Sequence, residues 1–150
     1  MVATIIEQNV VVSSLCEAFP EKIIVDRRLN PSHGYRGVHT IILVNGKSIE
    51  IQVRSSLQHL WAEFSEKLAD IIDPSIKYGG GDDDIRDLLQ GNARLVTRIE
   101  EIELQIAHIL NQEKDVKTKM QLEELQKQII EIKQTMTRDL NHAIGRYSKL

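Results

Sequence analysis

The fold of this protein is decided by residues 33–54, HGYRGVHTIILVNGKSIEIQVR. Two runs rich in β-branched residues flank the dipeptide Asn45-Gly46. This dipeptide is a strong signal of a two-residue hairpin turn, because both central residues of such a turn must accept positive φ. The sequence therefore predicts two antiparallel strands joined by a tight turn.

The register of the hairpin separates polar from apolar side chains. If Val44 pairs with Lys47, then His39 lies opposite Gln52, and side chains alternate between the two faces of each strand. One face then carries His39, Ile41, Glu50, Gln52 and Arg54, and the other carries Ile49, Ile51 and Val53. We predict that the second face packs on the core. The first face is a largely polar surface, called the platform below.

The segments around the hairpin predict one more strand and several helices. Residues 1–6 are short and β-branched, residues 7–19 place Val10 or Val11, Leu15 and Phe19 near helical spacing, and residues 22–29 are typical of a strand. After Ser55 the period becomes helical, with one apolar stripe of Leu57, Leu60, Trp61, Phe64, Leu68, Ile71 and Ile72. The polar residues Gln58, His59, Glu63, Glu66 and Lys67 are expected outside this stripe. The predicted fold class is α+β, a small mixed or antiparallel sheet with helices packed on its apolar face.

A different pattern begins after the Gly79–Gly81 run and the aspartates that follow it. Spacings that alternate between three and four residues mark a coiled-coil-like seam of Ile85, Leu88, Asn92, Leu95, Ile99, Ile102, Ile106 and Ile109. A second stripe, out of phase with the first, contains Leu122, Leu125, Ile129, Ile132 and Met136. We predict a C-terminal helical hairpin that turns within residues 111–119, with one kinked helix as the alternative. Residues 1–81 and 82–150 are the predicted domains, and residues 85–140 are a candidate surface for packing or homo-oligomerisation.

Composition limits the classes of function. A chain of 150 residues, 41% hydrophobic and 27% charged, can bury one ordinary core. A net charge of −3 gives no overall attraction to nucleic acid, so anion binding must come from a local cluster. The single cysteine, Cys16, excludes an internal disulfide, and no apolar run reaches the length that spans a bilayer. We expect a cytoplasmic protein without a membrane partner.

The platform carries three different polar groups at regular spacing. Glu50, Gln52 and Arg54 alternate along one strand and lie about 7 Å apart. A carboxylate, an amide and a guanidinium at this interval can hold a metal ion, hydrogen-bond a sugar or base, and bind a phosphate. The alternative is a strand face that is polar because it faces water.

Three segments in this order resemble motifs of the RelA/SpoT-type alarmone synthetase family. GYRGVH at residues 34–39 is similar to the family's GYRxxH segment, IEIQVR at 49–54 to its ExQxR strand, and QHLWAEFSEKLAD at 58–70 to its QHxWA-like helix. SIKYGGG at 75–81 is similar to small single-domain members, which include toxic enzymes that modify the 3′ end of tRNA. The resemblance covers residues 1–81.

The resemblance implies transfer of pyrophosphate from ATP to the ribose 3′-hydroxyl of GDP or GTP. Under it, Tyr35 stacks on guanine, while Glu50 binds Mg²⁺ and helps to remove the proton of the attacking hydroxyl. His39, Gln52 and Arg54 support the acceptor nucleotide and its phosphates. Arg36 is a weaker candidate for phosphate contact.

The family's catalytic aspartate and the basic residues that hold ATP have no counterpart in these 150 residues, since the expected DxxGxR-like segment is absent. Arg27 and Arg28 lie near the acceptor loop, where a phosphate role and a solvated role stay open. We therefore expect no turnover by this chain alone.

Two alternatives remain, a tRNA-modifying enzyme of the toxic branch and a catalytically dead interaction module that works through its paired helices. The hydrolase activity of longer family members is not supported, because the five histidines lack ligand spacing.

Overall fold

A computed structural model describes residues 1–111 and 116–147. The elements in chain order are α1 (Ile5–Ala18), β1 (Lys22–Asp26), β2 (Val38–Val44), β3 (Lys47–Val53), α2 (Ser56–Ile71), a 3₁₀ turn (Pro74–Tyr78), α3 (Asp83–Leu110) and α4 (Val116–Tyr147). The predicted α+β class is confirmed.

The sheet has three strands in the order β1-β2-β3, and both pairings are antiparallel. Val44 pairs with Lys47 and His39 with Gln52, so the register predicted from the turn is confirmed. Asn45 and Gly46 both adopt positive φ, of 50° and 76°, as a two-residue hairpin turn requires.

Helix α1 packs against β2 and β3. On the sheet, Val38, Ile42 and Val53 are buried, whereas Ile49 of the predicted core face is 44% exposed. The helix predicted for residues 7–19 is confirmed, but its buried residues are Ile5 and Gln8, whereas Val10 is 62% exposed. The β-branched start of the chain forms no strand of its own.

Val2 makes a single parallel bridge to Ser55, in which its N–H donates to the carbonyl of Arg54 at 3.0 Å. This bridge lies just beyond the end of β3, an edge strand of the sheet.

The main core lies between α2 and the two C-terminal helices. Trp61 is buried at its centre and donates its indole N–H to the carbonyl of Leu89 at 3.0 Å. Other members of this core are Phe64, Leu68, Ile85, Val96, Ile99, Met136 and Ala143. Leu60 and Ile71 of the predicted stripe are exposed, and Gln58, expected outside it, is buried.

Helices α3 and α4 pack antiparallel, which confirms the predicted hairpin. Arg146 near the end of α4 contacts Asp84 at the start of α3, with 3.2 Å between Nη1 and Oδ2. Farther along, Ile102 and Ile109 pack against Leu125. Residues 112–115 of the predicted turn lie outside the described residues. Within the described ranges, no helix is long and apolar enough to cross a membrane.

Candidate functional site

The platform side chains come from three neighbouring segments. His39 lies on β2, Glu50 and Gln52 lie on β3, and Arg54 directly follows β3. Tyr35 lies in the loop before β2, where its backbone N–H and carbonyl exchange hydrogen bonds of 2.9 and 3.2 Å with Ser32. The antiparallel register and this short loop bring the five polar side chains together.

A continuous series of hydrogen bonds connects four of these side chains. Arg54 Nε donates to the hydroxyl of Tyr35 at 3.0 Å, and this hydroxyl lies 2.8 Å from His39 Nε2. His39 Nδ1 contacts Glu50 Oε1. If each group donates to the next, His39 is neutral and carries its proton on Nδ1. The carboxylate of Glu50 is thus the final acceptor of the series.

Gln52 closes the arrangement from the side. Its amide nitrogen donates to Glu50 Oε1 at 3.3 Å, and its amide oxygen accepts from Arg54 Nη2 at 2.5 Å. The guanidinium of Arg54 also lies 5.0 Å from the centroid of the Tyr35 ring, within the range of a cation–π contact. Arg54 therefore covers one face of Tyr35.

The electrostatic surroundings keep Glu50 ionised. Hydrogen bonds from His39, and to a smaller extent from Gln52, hold the pKa of Glu50 below its ordinary value of 4.5. The side chain is exposed, so it is accessible to a ligand. An exposed, ionised carboxylate can supply one oxygen ligand to Mg²⁺, an ion that commonly combines one or two carboxylates with substrate phosphates. Among the described residues, the platform included, no group of three or more histidines, cysteines and acidic residues could hold a metal by itself.

A small cavity of about 170 Å³ adjoins Tyr35. It lies between the Tyr35 loop, α2 and the 3₁₀ turn, and its lining residues are Ser32, His33, Tyr35, Trp61, Ala62, Ser65, Glu66, Ile76 and Lys77. Its walls combine aromatic surface with a carboxylate, a hydroxyl and an ammonium. A wider open groove of about 770 Å³ follows α4 and contains no platform residue, so we assign no role in the site to it.

Arg36 does not join the platform. Its guanidinium donates to Glu100 of α3, at 2.7 Å from Nη2 and 3.2 Å from Nε, and both side chains are largely buried. Arg28 is likewise engaged, since it binds Asp26 and also donates to Asn9 at 2.7 Å. Hydrogen bonds from Arg28 lower the pKa of Asp26. Neither arginine is free to bind a phosphate in this arrangement.

The sequence did not predict a buried polar cluster next to the Tyr35 loop. Gln8 and Gln58 exchange hydrogen bonds of 2.9 and 3.1 Å, and Gln58 donates to Glu100 at 2.6 Å. One signal was available, because Ser55-x-x-Gln58 is a capping-box pattern at the start of α2, and the structure shows this box. Nothing local marks Gln8 or Glu100.

Comparison with known proteins gives partial similarity only. No protein-family model and no solved structure matches the chain. Among curated proteins, it is similar to uncharacterized proteins of Mycobacterium bovis and of two strains of Mycobacterium tuberculosis, each 45% identical over 53 residues. The match covers 35% of this chain and 19% of each relative, so the chain spans about a fifth of their length.

Proposed function

We propose that the platform and the adjoining cavity form the acceptor-nucleotide half of an alarmone synthetase-like site. The observation that carries this proposal is the hydrogen-bonded series from Arg54 through Tyr35 and His39 to Glu50. These are residues that the resemblance assigns to the acceptor nucleotide and its metal ion. A solvated strand face has no need of such a series, whereas a binding site needs its side chains held in place.

The base of the nucleotide would stack on Tyr35. Arg54 covers one face of the ring, and the small cavity that Tyr35 lines offers a place for a purine. The cavity beside the ring supplies the Glu66 carboxylate. A carboxylate can accept from the adjacent N1–H and N2 amino group of guanine, a pair of donors that adenine lacks. These features favour a guanine nucleotide.

The phosphates and the metal ion would lie along β3. Glu50 would supply one oxygen to Mg²⁺, and its lowered pKa keeps this oxygen deprotonated at neutral pH. Arg54 would bind a phosphate through guanidinium N–H groups not used by Tyr35 and Gln52, and the amide of Gln52 would contact the ribose or a phosphate. Mg²⁺ held by Glu50 and the nucleotide phosphates would lower the pKa of the 3′-hydroxyl and offset negative charge on the transferred group.

The reaction implied by the resemblance would form a bond between the 3′ oxygen and the β-phosphorus of ATP. The bond from that phosphorus to the oxygen of the α-phosphate would break so that AMP leaves, and the hydroxyl proton would pass to the Glu50 carboxylate. The platform holds one carboxylate and offers no cluster of basic residues for ATP. Phosphoryl transfer depends on positioning and charge stabilisation, so these 150 residues alone should bind the acceptor without turnover.

Calorimetric titration of the chain with GDP and Mg²⁺ tests the proposal. Stacking of a base on an aromatic side chain contributes about 1–3 kcal/mol, so Tyr35→Ala should weaken GDP binding by roughly 5- to 150-fold. Tyr78→Ala is the matched control, because Tyr78 is exposed and does not line the cavity. No GDP binding by the wild type, or an equal loss in both variants, would contradict the proposal.

A second experiment concerns turnover. The ATP-binding segment of a complete family member is added in trans, and transfer to GDP is followed with radiolabelled ATP. We expect product only in the mixture. Turnover by the chain alone, within tenfold of complete relatives, would refute the predicted inactivity. If the acceptor is instead the 3′ end of tRNA, tRNA should bind with an affinity that falls steeply with salt.

A further inference from the structure

A buried carboxylate links the C-terminal helices to the loop that carries Tyr35. Glu100 lies in α3, 64 residues after Arg36 in the chain, and is only 3% exposed. Its Oε2 accepts from Arg36, which directly follows Tyr35. Its Oε1 accepts from Gln58, in the first turn of α2 and four residues after Arg54.

Both partners of Glu100 are themselves fixed to the site. Arg36 also donates from Nη1 to the carbonyl of Arg28 at 3.0 Å, which holds the base of the loop. Gln58 caps α2 through Ser55 and pairs with Gln8, whose amide donates to the carbonyl of Val53 in β3 at 2.7 Å. Glu100 thus connects the two backbone segments that carry Tyr35 and Arg54.

We propose that Glu100 is a positioning residue of the nucleotide site, which sets the place of Tyr35 on the platform through Arg36 and Gln58. The proposal rests on the proposed function and extends it to α3, because the affinity of the site then depends on how this helix is packed. Glu100 does not touch the nucleotide. It acts by keeping Tyr35 and Arg54 in contact, so that the hydroxyl of Tyr35 accepts a hydrogen bond from the guanidinium of Arg54.

Glu100→Gln tests the role of the carboxylate with almost no change of shape. A carboxylate accepts at both oxygens, whereas an amide presents one acceptor and one donor. Either Arg36 or Gln58 therefore loses its partner, and the loop is held less firmly. If the competent arrangement falls to about one tenth of the population, GDP binds about tenfold more weakly.

Glu103→Gln is the matched control on the same helix. Glu103 is also partly buried and accepts from the backbone N–H of Ile5 at 3.0 Å, but it contacts neither the Tyr35 loop nor α2 in any described hydrogen bond. A glutamine there keeps an acceptor for Ile5. A general effect of removing a buried charge from α3 should appear in both variants, and a positioning effect only in Glu100→Gln.

Two readouts separate this inference from the proposed function. The first is GDP affinity by calorimetry at a temperature where every variant is folded. The second readout needs no ligand and follows the ring resonances of Tyr35 and His39 by NMR. These two rings meet edge to face, with their centroids 5.5 Å apart. We expect Glu100→Gln to shift these resonances and weaken GDP binding, and Glu103→Gln to do neither.

The outcomes are distinct. If the wild type binds no GDP but only Glu100→Gln shifts the ring resonances, the proposed function fails, while the placement of Tyr35 by Glu100 is still supported. If Glu100→Gln leaves the rings unchanged, or Glu103→Gln moves them equally, the positioning role is refuted. Should Glu100→Gln not fold, Glu100→Asp replaces it, since aspartate keeps both acceptors but withdraws them by about 1.5 Å. A folded Glu100→Asp with unchanged rings would also refute the role.

Discussion

Gly34 is the position at which a single methyl group should disturb both the core and the site. Its φ of +92° is unfavourable for any residue with a Cβ. A Cβ added there would lie 2.7 Å from Cζ2 of Trp61 and 3.2 Å from the Cβ of Ala93. The Trp61 ring has little freedom to withdraw, because it is buried and its N–H is bonded to Leu89.

The expected cost of Gly34→Ala has two parts. A left-handed backbone conformation costs an L-residue about 1–2 kcal/mol. Overpacking against a fixed ring costs about 1–3 kcal/mol more. The sum, about 2–5 kcal/mol, is a large share of the roughly 5–15 kcal/mol by which domains are stable. The next residue is Tyr35, so the same change should also weaken nucleotide binding.

Denaturation by guanidinium chloride, followed by tryptophan fluorescence, measures this cost directly, since Trp61 is the one tryptophan in the sequence. Gly91→Ala is the control. Gly91 lies within α3, and a Cβ there would meet no atom within 4 Å, so helix propensity alone should stabilise the protein by about 0.5–1 kcal/mol. If Gly34→Ala is as stable as the wild type, the close packing of this loop on Trp61 is refuted.

Three further predictions concern charge and burial. The pKa of Glu50 is lowered, so its contact with His39 should stabilise the folded protein above pH 4.5, and this stability should be lost as the pH falls through the lowered pKa. NMR titration of the wild type, together with denaturation of Glu50→Gln for comparison, checks this. Burial raises the pKa of Glu103, so the free energy of unfolding should fall as the pH rises from 4.5 through the raised pKa. Denaturation curves measured across this pH range should show the fall for the wild type and not for Glu103→Gln. Ile99 of α3 is fully buried in the main core, so Ile99→Asp should lower the free energy of unfolding by more than about 4 kcal/mol and abolish cooperative unfolding. A folded variant with a normal melting curve would contradict this.

Local patterns predicted the hairpin well. The Asn45-Gly46 turn determines the register, and alternation along a strand then determines which side chains share a face. The placement of His39, Glu50, Gln52 and Arg54 on one surface therefore followed from residues 33–54. The seams of α3 and α4 were also readable, because a repeat sustained over several turns marks the buried face of a helix.

Periodicity was less informative for helices whose apolar face is only partly covered by neighbouring elements. Periodicity identifies which apolar residues share one face of a helix, but it does not show whether a neighbouring helix or strand covers that face. Val10 and Leu60 are exposed for this reason, although both lie at helical spacing. Gln58 is buried because α1 and α3 present partners for its amide.

The sequence by itself determined the α+β class, the register of β2 and β3, and the chemistry of the platform. Only the tertiary structure decided that Arg36 turns to Glu100, that a cavity opens beside Tyr35, and that α3 supports the loop. The physical reason is distance along the chain. Turns and alternation depend on residues a few positions apart, whereas a buried ion pair across 64 residues exists only after the whole chain has packed.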